Sequence, residues 1–176
     1  MAQPTSYCEY VSDLPLDNVH RVYHDTEYGF PIESDNELFG RLILEINQAG
    51  LSWTTILNKK DNFRKAYSNF NIEEVANYSE QDRERLLNDA GIIRNKLKVN
   101  AAIHNAQQIQ SLQNSHGSFK NWLDQHRGLT HPEWVKLFKQ VFKFTGGEIT
   151  KEFLMSTGYL PGAHIKSCWV HEKLNA

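Results

Sequence analysis

Residues 35–50 set the strongest constraint on what this chain can fold into. Leu38, Leu42, Ile46 and Ala49 recur at three- and four-residue intervals, the period of a helix with one apolar stripe. Asp35 or Asn36 is placed to cap its first turn, and Gly50 to end it. The same period returns along most of the chain. Residues 51–57 begin a second helix, and 62–67 extend it or form a third. Residues 71–76 read as a short capped helix, and another starts at 79–82 with acids in its first turn, where the helix dipole favours them, and runs through Leu86 and Leu87. After a stop near Ala90 and Gly91, helical spacing resumes from Lys96 through Val99, Ala102, Ile103, Ala106, Ile109 and Leu112. Residues 114–118 predict a loop, followed by an aromatic helix around Phe119 and Trp122 and a second loop at 128–132. Residues 133–142 are helical again, Gly146 and Gly147 break the pattern, and 148–157 form a last helix before Gly158. No strand pair or internal repeat is evident, so the predicted fold class is all-α.

A chain of 176 residues suits a single domain over residues 1–176, or two small lobes sharing a core. With 40% hydrophobic and 23% charged residues it is neither disordered nor low-complexity. The longest apolar runs are too short to cross a bilayer, and the first eight residues carry neither a charged nor an apolar leader, so a soluble, cytoplasmic protein is expected.

The formal charge is -2, from 19 Lys plus Arg against 21 Asp plus Glu, so no global basic field attracts nucleic acid. The acids are unevenly spread, however. None lies between Asp89 and Asp124, where Arg94, Lys96, Lys98 and Lys120 fall; Lys136, Lys139 and Lys143 continue the bias. Segregation of this kind presents either a solvated helix face or a basic surface for phosphate.

His164 and Cys168 stand four residues apart and share a face if their segment is helical. Two ligands at that spacing can hold one metal, although the spacing also arises by chance. Zinc wants about four N or S ligands in a closed site. Cys8 is the one other cysteine, and His24 is the best-placed histidine near it. A disulfide between Cys8 and Cys168 is the competing use, uncommon in a reducing compartment.

Glu45 lies in the middle of the apolar stripe, three residues after Leu42 and four before Ala49. A carboxyl group there either caps a neighbouring element or reads a ligand at the floor of a pocket. Tyr7, Tyr10, Tyr23, Tyr28, Phe30 and Trp53 crowd the first third of the chain, as core or as a stacking site for a planar ligand. Residues 86–96 form two helices about a short turn beside cationic side chains, either an ordinary helical hairpin or a phosphate-gripping one.

Taken together, these segments resemble the DNA-3-methyladenine glycosylase I family of bacterial base-excision repair enzymes. The matching stretches are Tyr23-His24-Asp25-Thr26-Glu27-Tyr28-Gly29, Leu44-Glu45 with Gln48-Ala49-Gly50-Leu51-Ser52-Trp53, Asp89-Ala90-Gly91-Ile92-Ile93-Arg94-Asn95, Phe142-Lys143-Phe144, and the closing His164 to Cys168. They occur in family order over nearly the whole chain. The resemblance implies an all-α helix-hairpin-helix glycosylase whose termini are joined by a structural zinc on Cys8, His24, His164 and Cys168. It implies that Glu45 contacts the flipped base, that Tyr10, Tyr23, Tyr28 and Trp53 line the base pocket, and that Gly91, Arg94 and Lys96 grip the DNA backbone. The implied substrate is double-stranded DNA carrying an alkylated purine, from which a monomeric enzyme releases 3-methyladenine by hydrolysis and leaves an abasic site. Because methylation at N3 makes the base cationic, an anionic Glu45 and aromatic faces favour it by charge and by cation–π attraction.

The chain departs from the family pattern at several positions. Tyr10 and Tyr28 stand where Trp is usual, Ile46 and Asn47 follow Glu45 where Gly and another residue are typical, and residues 145–153 replace a Val-Gly-Pro/Thr-Thr and Tyr-Ser-Phe-Met-Gln pattern. The last change brings in Glu148 and Glu152, expected to oppose phosphate on a DNA-facing helix. The alternatives are a zinc-stapled protein that senses damage without cleaving, and a small-ligand protein with no nucleic acid partner.

Overall fold

The computed structural model describes residues 3–176; Met1 and Ala2, which open the segment read above for a leader, lie outside them. Among the described residues the α-helices are α1 (Tyr7–Ser12), α2 (Val19–Thr26), α3 (Asp35–Gln48), α4 (Trp53–Asn58), α5 (Lys60–Ala66), α6 (Ile72–Ala76), α7 (Glu80–Leu87), α8 (Lys96–His116), α9 (Phe119–Gln125), α10 (His131–Val141), α11 (Gly147–Ser156) and α12 (Trp169–Leu174), with a 3-10 turn at Ser68–Phe70. No described residue is in a strand, and no helix is long and apolar enough to cross a membrane. The chain divides into two compact units, one of Met1–Pro31 with Leu154–Ala176 and one of Ile32–Phe153.

In the larger unit α3 is the central helix. Leu38 to Asn47 are all buried, so this helix is covered on every side rather than along one stripe. Its N-terminus is tied in several ways. Ser34 accepts the Glu37 N–H. Asp35 accepts the backbone N–H of Phe119 and Lys120 at 2.9 and 3.0 Å, placing a carboxylate at the start of α9, where the dipole stabilises it. Arg64 of α5 grips Glu37 with two 2.8 Å bonds. Gly40 is required by packing, because a Cβ there would lie 2.3 Å from the Phe70 ring. Around this helix, α8 contributes Val99, Ile103, Ala106 and Ile109, and Phe119, Trp122, Trp134, Phe138, Phe142 and Phe153 form a contiguous aromatic core.

The smaller unit joins the two ends of the sequence. Ser6 and Asn18 cap α1 and α2. The Arg21 guanidinium donates to Val11 O and Ser12 O at 3.0 and 2.8 Å, satisfying carbonyls at the end of α1 and fixing α2 to it. From the other end of the chain, Cys168 and Val170 form a buried cluster with Cys8, flanked by Phe30 and Leu174.

Several sequence expectations shift. The loop expected at 114–118 shrinks, since α8 continues to His116 and stops at Gly117, whose φ of +84° favours glycine. The loop expected at 128–132 gives way at His131, where α10 begins with Pro132 in its first turn and a Thr130–Glu133 capping box. The helix ending at Ser156 is not the last, since α12 follows.

Candidate functional site

In the smaller unit Cys8 on α1, His24 on α2, and His164 and Cys168 near the C-terminus bring four ligand atoms within 4.8 Å of one another, all four residues buried. His164 Nδ1 lies 3.2 Å from His24 Nε2 and 3.6 Å from Cys8 Sγ; Cys168 Sγ is 3.7 Å from His24 Nε2 and 3.8 Å from His164 Nδ1. Both cysteines are free, so the disulfide alternative is not realised. The helical condition on the His164–Cys168 pair is not met, since residues 161–168 are not helical; instead a turn closed by Cys168 N–H on Ile165 O at 2.9 Å brings the two side chains together.

Surrounding groups orient both imidazoles. His24 Nδ1–H donates to Asp25 Oδ1 at 2.7 Å, and Asp25 Oδ2 accepts from Arg21 Nε at 2.8 Å, which leaves His24 Nε2 with a lone pair toward the cluster. His164 Nε2–H donates to Tyr28 O at 2.6 Å, leaving Nδ1 for the cluster. Gly29 makes this approach possible. Its φ is +82°, its N–H donates to Ser156 O at 2.8 Å, and a Cβ would lie 3.0 Å from Ala163 Cβ and 3.1 Å from the His164 ring. Asp25 and Arg21 were absent from the sequence expectations, although an acid directly after a candidate histidine ligand was a visible signal.

Of the expected aromatic residues in this unit, Tyr23 and Tyr28 are buried, with centroids 5.7 Å apart, and both pack on Tyr7. Tyr28 also meets the His164 ring at 5.4 Å. Tyr10 is 42% exposed, stacked on Tyr7 and edge-on to His20.

In the larger unit Glu45 is 4% exposed, as its place in the apolar stripe requires. Burial pushes its carboxyl up to about 8; the Arg41 guanidinium one turn earlier opposes the shift and the Glu152 charge adds to it. Among the described residues no donor of the protein hydrogen-bonds this carboxyl group. Burial thus favours the protonated form of Glu45 in the absence of a ligand, against the pull of Arg41.

The turn from α3 to Trp53 is tightly held. Gly50 has φ +80°, Leu51 N–H donates to Gln48 O at 2.8 Å, and Ser52 caps α4. Lys98 of α8 donates to Asn47 O at 2.8 Å and Ala49 O at 2.7 Å, so a buried ammonium satisfies the carbonyls at the end of α3. This removes Lys98 from the basic face expected over 94–120, and Lys120 is paired with Asp124 at 2.8 Å. Arg94 and Lys96 remain exposed. Between α7 and α8, Gly91 N–H is taken by Asp89 Oδ1 at 2.8 Å, Lys59 Nζ and Asn62 Nδ2 hold the carbonyls of Ala90 and Gly91, and Asn95 caps α8. Among the described residues no acceptor of the protein takes the N–H of Ile93 or Arg94.

A family model described as methyladenine glycosylase matches residues 14–134. The chain is 36% identical to DNA-3-methyladenine glycosylase 1 of Escherichia coli (strain K12), over 92% of this chain and 94% of that protein. It superposes on the structure of 3-methyladenine DNA glycosylase I from Staphylococcus aureus with a TM-score of 0.78 at 31% identity, covering 88% of this chain and 92% of that one. A variant of 3-methyladenine DNA glycosylase I in complex with 3-methyladenine gives a TM-score of 0.82 at 30% identity, covering 93% and 96%. With its family model spanning well over half of the sequence, the chain belongs to the methyladenine glycosylase family.

Proposed function

We propose that this protein is a DNA-repair glycosylase that hydrolyses the N-glycosidic bond of 3-methyladenine in duplex DNA and leaves an abasic site. The observation that carries this reading is Glu45: a carboxyl group set within the apolar stripe of α3, its proton held to about 8 by burial, with no hydrogen bond from a donor of the protein among the described residues. Such a group is costly to keep unless a ligand completes it. An N3-methylated adenine brings what is missing, a positive charge and an amino-group donor. Its charge lowers the affinity of Glu45 for its proton, and the resulting carboxylate pairs with the base. A neutral adenine offers no such charge, and Glu45 stays protonated against it. The cationic base is already a good leaving group, so the work of the site is selective binding rather than strong acid catalysis. Tyr10, Tyr23, Tyr28 and Trp53 are assigned to the aromatic walls that receive the base.

The α7–α8 segment is proposed as the helix-hairpin-helix element for the backbone. The free N–H groups of Ile93 and Arg94 stand beside the Arg94 and Lys96 side chains, a combination that suits a phosphate. Gly91 serves by shaping the turn, because its own N–H is engaged.

Zinc is the metal the buried cluster fits. Zn–N bonds of about 2.0–2.1 Å and Zn–S bonds of about 2.3 Å in a tetrahedron give edges of roughly 3.3 Å between nitrogens and roughly 3.6 Å between nitrogen and sulfur. The protein has 3.2 Å for the first and 3.6 to 3.8 Å for three of the four nitrogen–sulfur edges, with all four ligand atoms within 4.8 Å of one another. Bound there, zinc contributes folding energy, since four protein ligands leave no open position for a water. Cys8, His24, His164 and Cys168 thereby fasten the first residues to the last. The expected working form is a monomer in the cytoplasm.

The test is base release from methylated duplex DNA by the purified protein, with free bases separated chromatographically. The reading predicts free 3-methyladenine and a strand that breaks only after alkali. No methylated base released from folded, zinc-loaded protein would refute it.

A further inference from the structure

Lys98 is a buried charge of the larger unit that the reading above does not use. It sits in the first turn of α8, where the capping side chain of Asn95 accepts its backbone N–H at 3.1 Å. From there its side chain reaches the end of α3, and at 5% exposure it is out of water. Burial disfavours the ammonium, so oxygens of the protein have to replace the lost solvent. Two backbone carbonyls do so, Asn47 O at 2.8 Å and Ala49 O at 2.7 Å. In a continuing helix the Leu51 N–H would go to Asn47 O, but it turns back to Gln48 O at 2.8 Å as the chain leaves α3 through Gly50. The ammonium takes the place of the missing helical bond, at the negative end of the α3 dipole. What it fixes lies on both sides of the contact: Glu45 comes two residues before Asn47, and Ser52 and Trp53, which open α4, follow Ala49 after one short turn. Lys59 and Asn62, holding the carbonyls of Ala90 and Gly91 at 3.3 and 3.2 Å, fasten α5 and the residue before it to the turn ahead of α8.

We propose that Lys98 is a positioning residue for base excision: its ammonium sets the end of α3, with Glu45 behind it and Trp53 ahead, against the α7–α8 segment that grips the DNA backbone. The inference rests on reading Glu45 as the base-contacting group and α7–α8 as that grip. In this role Lys98 touches neither base nor phosphate. It turns a hold on the strand into a fixed place for the base, because a duplex seated on Arg94 and Lys96 meets Glu45 and Trp53 in one geometry only while the bonds to Asn47 and Ala49 are made. Without the ammonium two buried carbonyls lose their partner, the last turn of α3 frays, and Glu45 and Trp53 shift relative to the hairpin, while Arg94 and Lys96 stay in place. The loss then falls on the reaction of bound DNA rather than on the binding of DNA. A misplacement of about 1 Å is enough to slow such a reaction about a hundredfold.

Single-turnover release of 3-methyladenine at saturating methylated duplex, for wild type, Glu45→Gln, Lys98→Met and Lys98→Gln below the Tm of each, tests this, with affinity for undamaged duplex and for free 3-methyladenine measured alongside. Methionine keeps an unbranched stem and no donor; glutamine keeps an amide whose two N–H groups can serve both carbonyls. Lys98→Met is expected to slow release about a hundredfold, to weaken binding of free 3-methyladenine about tenfold, and to leave affinity for undamaged duplex within about twofold of wild type. Lys98→Gln, its amide one bond short of the ammonium, is expected to recover part of the loss and run about tenfold below wild type. A merely structural role would lower Tm and leave the saturated rate and the base affinity at wild-type values, and that result would overturn the inference. So would a normal saturated rate with weakened binding of undamaged duplex, which would confine Lys98 to the backbone grip. If Lys98→Met does not fold, Lys98→Gln carries the test, and a folded glutamine variant equal to wild type in rate and base affinity sinks the proposal. If wild type releases no base, or Glu45→Gln matches wild type, the underlying reading fails first; if Glu45→Gln is impaired and both Lys98 variants match wild type, this inference alone fails.

Discussion

Replacing Glu45 by Gln should stabilise the protein while impairing its activity, and the size of the effect follows from burial. The carboxyl is raised from 4.5 to about 8. Between those values the folded state binds a proton that the unfolded state has lost, so stability falls as pH rises through the window. Below 4.5 both states are protonated and Glu45 costs nothing; above 8 both are ionised and the penalty is constant. At pH 7 the chain is two and a half pH units above the unfolded value, and at about 1.4 kcal/mol per unit the penalty is about 3 kcal/mol. Glutamine keeps the shape of the side chain and does not titrate. For a protein of this size a gain of that order raises Tm by about 10 °C. Urea or thermal unfolding of both proteins at pH 5, 6, 7 and 8 should show a gap that is small at pH 5 and widens toward pH 8. Parallel curves, or a glutamine variant that is less stable at pH 7, would show that the native state gives Glu45 partners the structure lacks.

Three further outcomes are expected. Cys168→Ser should lose bound zinc and melt on the order of 10 °C lower, because metal binding and folding are linked; full zinc content and an unchanged Tm would remove Cys168 from the ligand set. Gly29→Ala should cost about 1–2 kcal/mol from its left-handed φ alone, plus the strain of a Cβ 3.0 Å from Ala163, and should weaken zinc retention because His164 is displaced; a variant as stable as wild type would refute the close approach. Arg94→Gln and Lys96→Gln should each weaken binding to undamaged and damaged duplex alike and reduce the salt slope by about 1; sequence-selective loss, or none, would place both residues away from phosphate.

What was legible in the sequence depended on how local the signal was. The α3 stripe and its misplaced Glu45 were readable because helical period and residue type were enough to bury that carboxyl. By contrast α1, α2 and α12 have six to eight residues each, too few turns for a period to emerge, and capping by Ser6 and Asn18 does much of the work of defining the first two. The metal cluster draws on residues 8 and 168, a separation that spacing cannot bridge, so residue type and local spacing only nominated its four members, the resemblance joined them into one ligand set, and their proximity came from the fold. Lys98 was misplaced for a different reason. A lysine beside other cations looks solvated, and only the end of α3 reveals that its ammonium is spent on Asn47 and Ala49 carbonyls.

The central claim is that a buried, proton-holding Glu45 reads a cationic base for excision. Its most direct test is the single-turnover rate of 3-methyladenine release at pH 7.5 by wild type and Glu45→Gln, both shown to be folded and zinc-loaded. The account predicts measurable release by wild type and a loss of at least about a hundredfold in the variant. Equal rates would contradict it and leave Glu45 a structural group.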